Sequence, residues 1–197
     1  MDREAELIAR AAAGDRGAFD ELIAARWPRL ARLAARIVGS AAEGQDVAQQ
    51  ACLRAWRAAG RIEGGGEGLD RWLARATANL AVDALRRRKA RPEDPAGEEL
   101  AARTAAAAPD PEQAALAAEL EAALQRVAAD LPPRQKALFV LTRVEGYSAA
   151  DAAAMLGIAP STARNTLFQL RATLARRLGE HFTVEPRVLH GDDRHKP

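Results

Sequence analysis

Apolar residues recur at three- and four-residue steps along most of the chain, which predicts helices and an all-α fold. Residues 2–13 mix charge with Leu7, Ile8 and Ala11, a short amphipathic helix that breaks between Gly14 and Gly17. A second helix is predicted from about Ala18, with Phe19, Leu22 and Ile23 on one face. Trp27-Pro28 is expected to interrupt it, because proline crowds the preceding turn and disfavours helix at the residue before. Leu30, Leu33, Ile37 and Val38 then carry the pattern to Gly39. Ser40 followed by Glu43 is a capping-box spacing that opens a helix to about Ala59. On that helix Val47, Leu53 and Trp56 can serve the buried side, with Asp46, Gln49, Gln50, Arg54 and Arg57 polar. Five glycines in the nine residues 60–68 predict a flexible loop. No GK[ST] follows and no strand precedes, so it is not a phosphate-binding loop.

The stretch from Trp72 to Arg91 organises the rest. Trp72, Leu73, Ala76 and Leu80 share one face, while Asn79, Asp83 and Arg86 lie on another that need not be buried. The helix ends in Arg86, Arg87, Arg88, Lys89 and Arg91. Residues 92–109, rich in Pro, Ala and acids, offer no core face and predict a flexible acidic linker. Asp110-Pro111 with Gln113 starts another helix, striped by Leu116, Leu120, Leu124, Val127 and Leu131 and stopped by Pro132-Pro133. From Gln135 to Val144 a further helix is apolar at Leu138, Phe139 and Leu141. Glu145-Gly146-Tyr147 turns the chain, Ser148 caps a short helix, and Gly157 to Pro160 turns it again into a last helix beginning at Ser161 or Thr162.

A short helix, a glycine turn and a second amphipathic helix form a helix-turn-helix pattern. Ala163, Leu167, Leu170 and Leu174 are spaced to face a core, leaving Arg164, Asn165, Phe168, Gln169 and Arg171 outward. Arg can pair with guanine, Asn or Gln with adenine, and hydroxyls such as Ser161 and Thr162 with phosphate. A helical hairpin that binds nothing is the alternative, and the basic, polar outer face favours DNA.

Charge sharpens the picture. The net formal charge is only +2, but residues 1–91 hold 17 basic against 12 acidic residues, 92–130 hold 2 against 9, and 131–197 hold 10 against 6. Two basic blocks around an acidic one suggest two modules on a polyanion. The basic end of the Trp72 helix fits this, although a solvated helix end suited to the dipole would look similar. Cys52 is the sole cysteine, which excludes an intrachain disulfide and a cysteine-based metal site. His181, His190 and His195 lie in the tail without an acid or a ligand spacing, so no catalysis, metal or cofactor is expected. No run approaches a membrane span and the first residues lack a signal-peptide core, so a soluble cytoplasmic protein is expected.

Three segments resemble the extracytoplasmic-function (ECF) subfamily of bacterial RNA polymerase sigma factors. Asp46 to Trp56 (DVAQQACLRAW) is similar to the family's core-polymerase-binding helix in region 2, Trp72 to Arg88 to the segment that melts and reads the −10 promoter element, and Leu131 to Arg171 to region 4, which reads the −35 element. The resemblance implies a sigma factor with region 2 at 1–91, a linker at 92–109, region 4 at 110–180 and a tail at 181–197. It assigns polymerase binding to Asp46, Gln49, Gln50, Leu53, Arg54 and Trp56, although the glutamine pair alone reads as a solvated face. It assigns −10 contacts to Asn79, Asp83, Arg86, Arg87 and Arg88. The −35 contacts fall to Ser161, Thr162, Arg164, Asn165, Thr166, Phe168, Gln169 and Arg171. The loop 60–68 sits where the family captures a flipped base, a step that must offset a few kcal/mol of stacking. Cys52, Gln50, Ala74, Ala78, Thr166 and Gln169 depart from the residue types the family usually has there. Implied partners are core RNA polymerase, promoter DNA and an anti-sigma protein. A stand-alone helix-turn-helix regulator would not need the docking helix, and a decoy that only binds an anti-sigma protein would not keep the DNA-facing arginines.

Overall fold

The computed structural model describes residues 3–90 and 131–179; the predicted linker, the helix beginning at Asp110 and the tail lie outside them. The described residues form seven α-helices and no strand: α1 (Arg3–Ala12), α2 (Arg16–Val38), α3 (Ala41–Ala58), α4 (Gly65–Ala90), α5 (Pro133–Arg143), α6 (Ala149–Leu156) and α7 (Pro160–Gly179). A 3-10 turn at Ala59–Arg61 follows α3.

The caps are local chemistry. Asp15 accepts from the Ala18 amide at 3.1 Å and takes the Arg10 guanidinium at 2.7 Å, fixing the turn from α1 into α2. The Ala18 amide first, then Arg10, holds the Asp15 carboxyl below its usual range. Ser40 accepts from the Glu43 amide at 3.4 Å and Ser148 from the Asp151 amide at 3.0 Å, as their spacing predicts. Arg26 joins both Glu4 and Asp70, tying α1, α2 and α4 together.

Three expectations are corrected. Pro28 does not interrupt α2, which runs unbroken for 23 residues. An internal proline costs about 3 kcal/mol. Here Phe19 and Leu22 before it and Leu30, Leu33 and Ile37 after it are all buried, each favoured by roughly 1.5–3 kcal/mol, so packing outweighs the proline. Most of the glycine-rich stretch is not a loop either: α4 begins at Gly65, so the last three of those glycines are helical. Leu53 is not core but 53% exposed. The face that α3 turns to the interior is a run of small residues, Gly44, Ala48, Ala51 and Ala55, with Val47 beside it. This lets α2 and α3 approach so closely that a methyl on Gly44 would stand 2.6 Å from the Ala35 nitrogen. A leucine has no room on that seam.

Two apolar clusters follow. One joins α1, α3 and the first halves of α2 and α4 through Leu7, Phe19, Leu22, Leu30, Ala48, Ala55, Leu69 and Leu73, with Trp27, Trp56 and Trp72 at its edge. The other joins the second halves of α2 and α4 to α5, α6 and α7, through Leu33, Ile37, Val38, Ala81, Val82, Leu138, Leu141, Met155 and Leu156 among others. The second cluster therefore draws on both helical modules, α2–α4 on the N-terminal side and α5–α7 on the C-terminal side.

Candidate nucleic-acid interface

The outward stripe of α3 carries Asp46, Gln49, Gln50, Leu53 and Arg54, spaced by three and four residues on one face and all exposed. An exposed leucine among amides and charges is what a docking face for another protein needs. Trp56 sits at the rim of this stripe and is half-buried. Its ring packs on Phe19, with centroids 5.1 Å apart at an interplanar angle of 58°, so it belongs largely to the core. Cys52 beside it is half-buried, and burial pushes its thiol up to about 11, which keeps it protonated and unreactive at neutral pH.

The candidate −10 residues lie along the second half of α4 but not in one state. Arg86 and Arg87 are exposed, and Asp83 pairs with Arg86 at 3.7 Å. Arg88 reaches Glu43 at 3.3 Å and donates to the Val38 carbonyl at 3.1 Å, so part of its guanidinium braces α2 and α3. Asn79 is half-buried. Its amide donates to the Arg75 carbonyl at 2.9 Å and to the Met155 carbonyl of α6 at 2.8 Å.

On α7 the candidate −35 residues separate cleanly. Ala163 and Leu170 are buried and Leu167 half-buried. Ser161, Thr162, Arg164, Asn165, Gln169 and Arg171 are exposed, Phe168 is 76% exposed, and Thr166 is half-buried. Together α6, the Gly157 turn at φ +62° and α7 make the helix-turn-helix that the sequence predicts. Exposed among the described residues and polar, this face suits the major groove.

Sequence reasoning missed the residues that hold the two halves together. The Arg29 Nε donates to Glu145 at 2.8 Å and an Nη to the Tyr147 hydroxyl at 3.3 Å, with the guanidinium 5.9 Å from the Tyr147 ring centroid. Arg36 lies 3.9 Å from the same Glu145 carboxylate, whose side chain is only 7% exposed. Lys136 of α5 is 5% exposed, its Nζ 3.5 Å from where a methyl on Gly39 would stand. It has no acidic partner among the described residues, and burial and then Arg88 lower its pKa. Glu145 and Tyr147 read as turn residues in the sequence, and no periodicity marks them.

A profile described as "Sigma-70 region 2" matches residues 22–91, and one described as "Sigma-70, region 4" matches residues 121–174. The chain is 38% identical over 178 residues to the ECF RNA polymerase sigma factor SigM of Mycobacterium tuberculosis, covering 89% of this chain and 85% of that one. It is 31% identical to the RNA polymerase sigma-H factor of Pseudomonas aeruginosa, over 90% of this chain and 95% of the relative. Among solved structures, that of CnrH in complex with the cytosolic domain of CnrY has a similar fold, with a TM-score of 0.61 at 24% identity over 92% of this chain and all of that one.

Proposed function

The chain belongs to the ECF subfamily of sigma-70 RNA polymerase sigma factors, and from that premise we propose how its exposed faces divide the work of promoter-specific initiation. The α3 stripe of Asp46, Gln49, Gln50, Leu53 and Arg54 docks on core RNA polymerase, with Trp56 holding the rim of that stripe in place. The α4 face of Asn79, Asp83, Arg86, Arg87 and Arg88 reads and helps to open the −10 element, its arginines drawn by phosphate. The outer face of α7, led by Arg164 and Asn165, reads the −35 element through base edges, with Ser161 and Thr162 on phosphate. The chain supplies binding and positioning; the polymerase supplies the chemistry.

The observation that supports this division best is Leu53. A large apolar side chain left outside, on a face otherwise built of amides and charges, has no use in a regulator that binds only DNA. We further propose a protein inhibitor that covers these faces, in line with the relative of similar fold solved with the cytosolic domain of CnrY. The work would be done in the cytoplasm; no helix among the described residues is long and apolar enough to cross a membrane.

The test is reconstitution. Purified chain added to core polymerase should give promoter-dependent transcripts, and Leu53→Asp should abolish them by abolishing association. Transcription that survives loss of the α3 face would overturn the docking assignment.

A further inference from the structure

Lys136 is only 5% exposed, and the division of faces proposed above makes no use of it. It stands on the first turn of α5, where side chains lean back toward the helix N-terminus. Its Nζ lies 3.5 Å from where a methyl on Gly39 would stand, just past the end of α2. Arg88 comes to the same place from α4. One Nη donates to the Val38 carbonyl at 3.1 Å and the other to Glu43 at 3.3 Å. The two cations thus meet at neighbouring residues of α2, close enough for the Arg88 charge to act on the Lys136 ammonium.

Such a meeting needs a counter-charge. Lysine is almost never fully buried unless it is paired, and a buried ion without a partner is costly. Among the described residues no acid and no hydrogen-bond acceptor engages Nζ. Glu43, the acid at this junction, is spent on Arg88. The carbonyl end of α2 offsets only part of the cost. The start of α5 adds its own partial positive charge, because Pro132 gives it no side-chain cap. An ammonium, a guanidinium with N–H donors to spare and an uncapped helix start therefore converge where α2, α4 and α5 meet. The Arg88 side chain is 40% exposed, so the junction is open to solvent on that side.

We propose that this junction is an oxyanion site, in which Lys136 and Arg88 together hold one inorganic phosphate ion over the start of α5. At 5% exposure the ammonium can be reached by a small ion and not by the phosphates of a DNA backbone. The bound ion supplies the negative charge that the fold leaves out, so it stabilises the folded chain. This role is separate from the polymerase and promoter faces and does not rest on them.

The test is a phosphate titration of the full chain, with ionic strength held constant by sodium chloride. Calorimetry on the folded chain gives the Kd. In denaturant unfolding, phosphate at ten times that Kd should raise the folded-to-unfolded ratio of the parent about elevenfold. Lys136→Met, which removes the charge but keeps the bulk, should lose that gain; the general stabilising effect of phosphate acts on both chains alike. Arg88→Gln, which keeps a donor for Val38, should weaken phosphate binding about tenfold and provides a second variant. Equal responses in the parent and both variants would put the phosphate on the exposed arginines instead and overturn the site. A parent that gains no more from phosphate than Lys136→Met would overturn it too, with the lysine either neutral or met by one of the chain's own carboxylates. Loss of promoter-dependent transcription would bear on the sigma reading alone and leave this result standing.

Discussion

The Asn79 side-chain amide donates to the backbone carbonyl of Met155 at 2.8 Å, a hydrogen bond between residues 76 apart in the chain. Its other recorded acceptor is the Arg75 carbonyl one turn back. Asn79→Asp would put a carboxylate where a donor stood, facing a carbonyl oxygen. The contact between α4 and α6 should loosen by about 1–2 kcal/mol, more than for Asn79→Ala, which leaves room for water. Hydrogen exchange of α6 amides and the radius of gyration in solution would report it. Unchanged exchange in Asn79→Asp would show that this bond contributes nothing to docking.

Leu53 and Trp56 lie three residues apart on α3 and should behave oppositely. Leu53 is 53% exposed, so Leu53→Ala should leave stability within about 0.5 kcal/mol of the parent. Polymerase binding should weaken about tenfold, as expected for the apolar centre of a docking face. Trp56→Ala removes a ring packed on Phe19 and should cost about 2–3 kcal/mol of stability, somewhat below the range for a fully buried tryptophan. Thermal melts beside binding curves separate the two. A binding loss in Trp56→Ala alone would not identify the docking face, because it would follow from unfolding.

Helices, caps and the helix-turn-helix were legible because each is written in local spacing. Ser40 before Glu43, Ser148 as a cap and Gly157 at the end of α6 all fold as their local chemistry predicts. The outward set on α7 was legible for the same reason, since Ala163 and Leu170 fix which face is inside. Leu53 misleads because a large apolar side chain ordinarily signals burial. The real signal was the spacing of small residues at 44, 48, 51 and 55, which marks a close helix crossing. Pro28 misleads because local preference carries no information about the tertiary packing on both sides of it. The contact between the halves left no pattern. It uses a backbone carbonyl at Met155, turn residues at 145 and 147, and a lone lysine, none of which is periodic.

Gly44 tests the close crossing directly. A methyl there would lie 2.6 Å from the Ala35 nitrogen and 2.7 Å from its Cα, both backbone atoms that cannot rotate away. In an isolated helix Gly→Ala would stabilise by up to about 1 kcal/mol. Here the overlap should win, and Gly44→Ala should destabilise by roughly 1–3 kcal/mol in denaturant unfolding. A gain in stability would mean that α3 can slide on α2 at little cost.

Arg164 is exposed on the first turns of α7, on the face that also carries Asn165 and Phe168. Arg164→Ala should reduce binding to a −35 duplex about tenfold, the lower part of the range for losing a guanine contact. Binding to core polymerase should not change, because the α3 stripe is untouched. A titration of each partner with the same preparation makes the comparison. Equal losses in both would show that the two faces are not separate.

Lys136 predicts a pH dependence with a definite sign. In the folded chain its pKa is lowered, first by burial and second by the charge of Arg88, whereas in the unfolded chain it returns to the ordinary 10.5. Below the lowered value the ammonium is charged in both states, and folding carries its full desolvation cost. As pH rises from that value toward 10.5, the folded chain gives up its proton first, so the unfolded chain binds more protons and folding becomes more favourable. Above 10.5 the lysine is neutral in both states and ceases to matter. Lys136→Met, which removes the charge but keeps the bulk, should be more stable than the parent at neutral pH and should lack this part of the slope. Denaturant unfolding of both chains from about pH 7 to 10.5 gives the difference; equal slopes would show that the ammonium is already relieved in the folded chain, by an acid or by water.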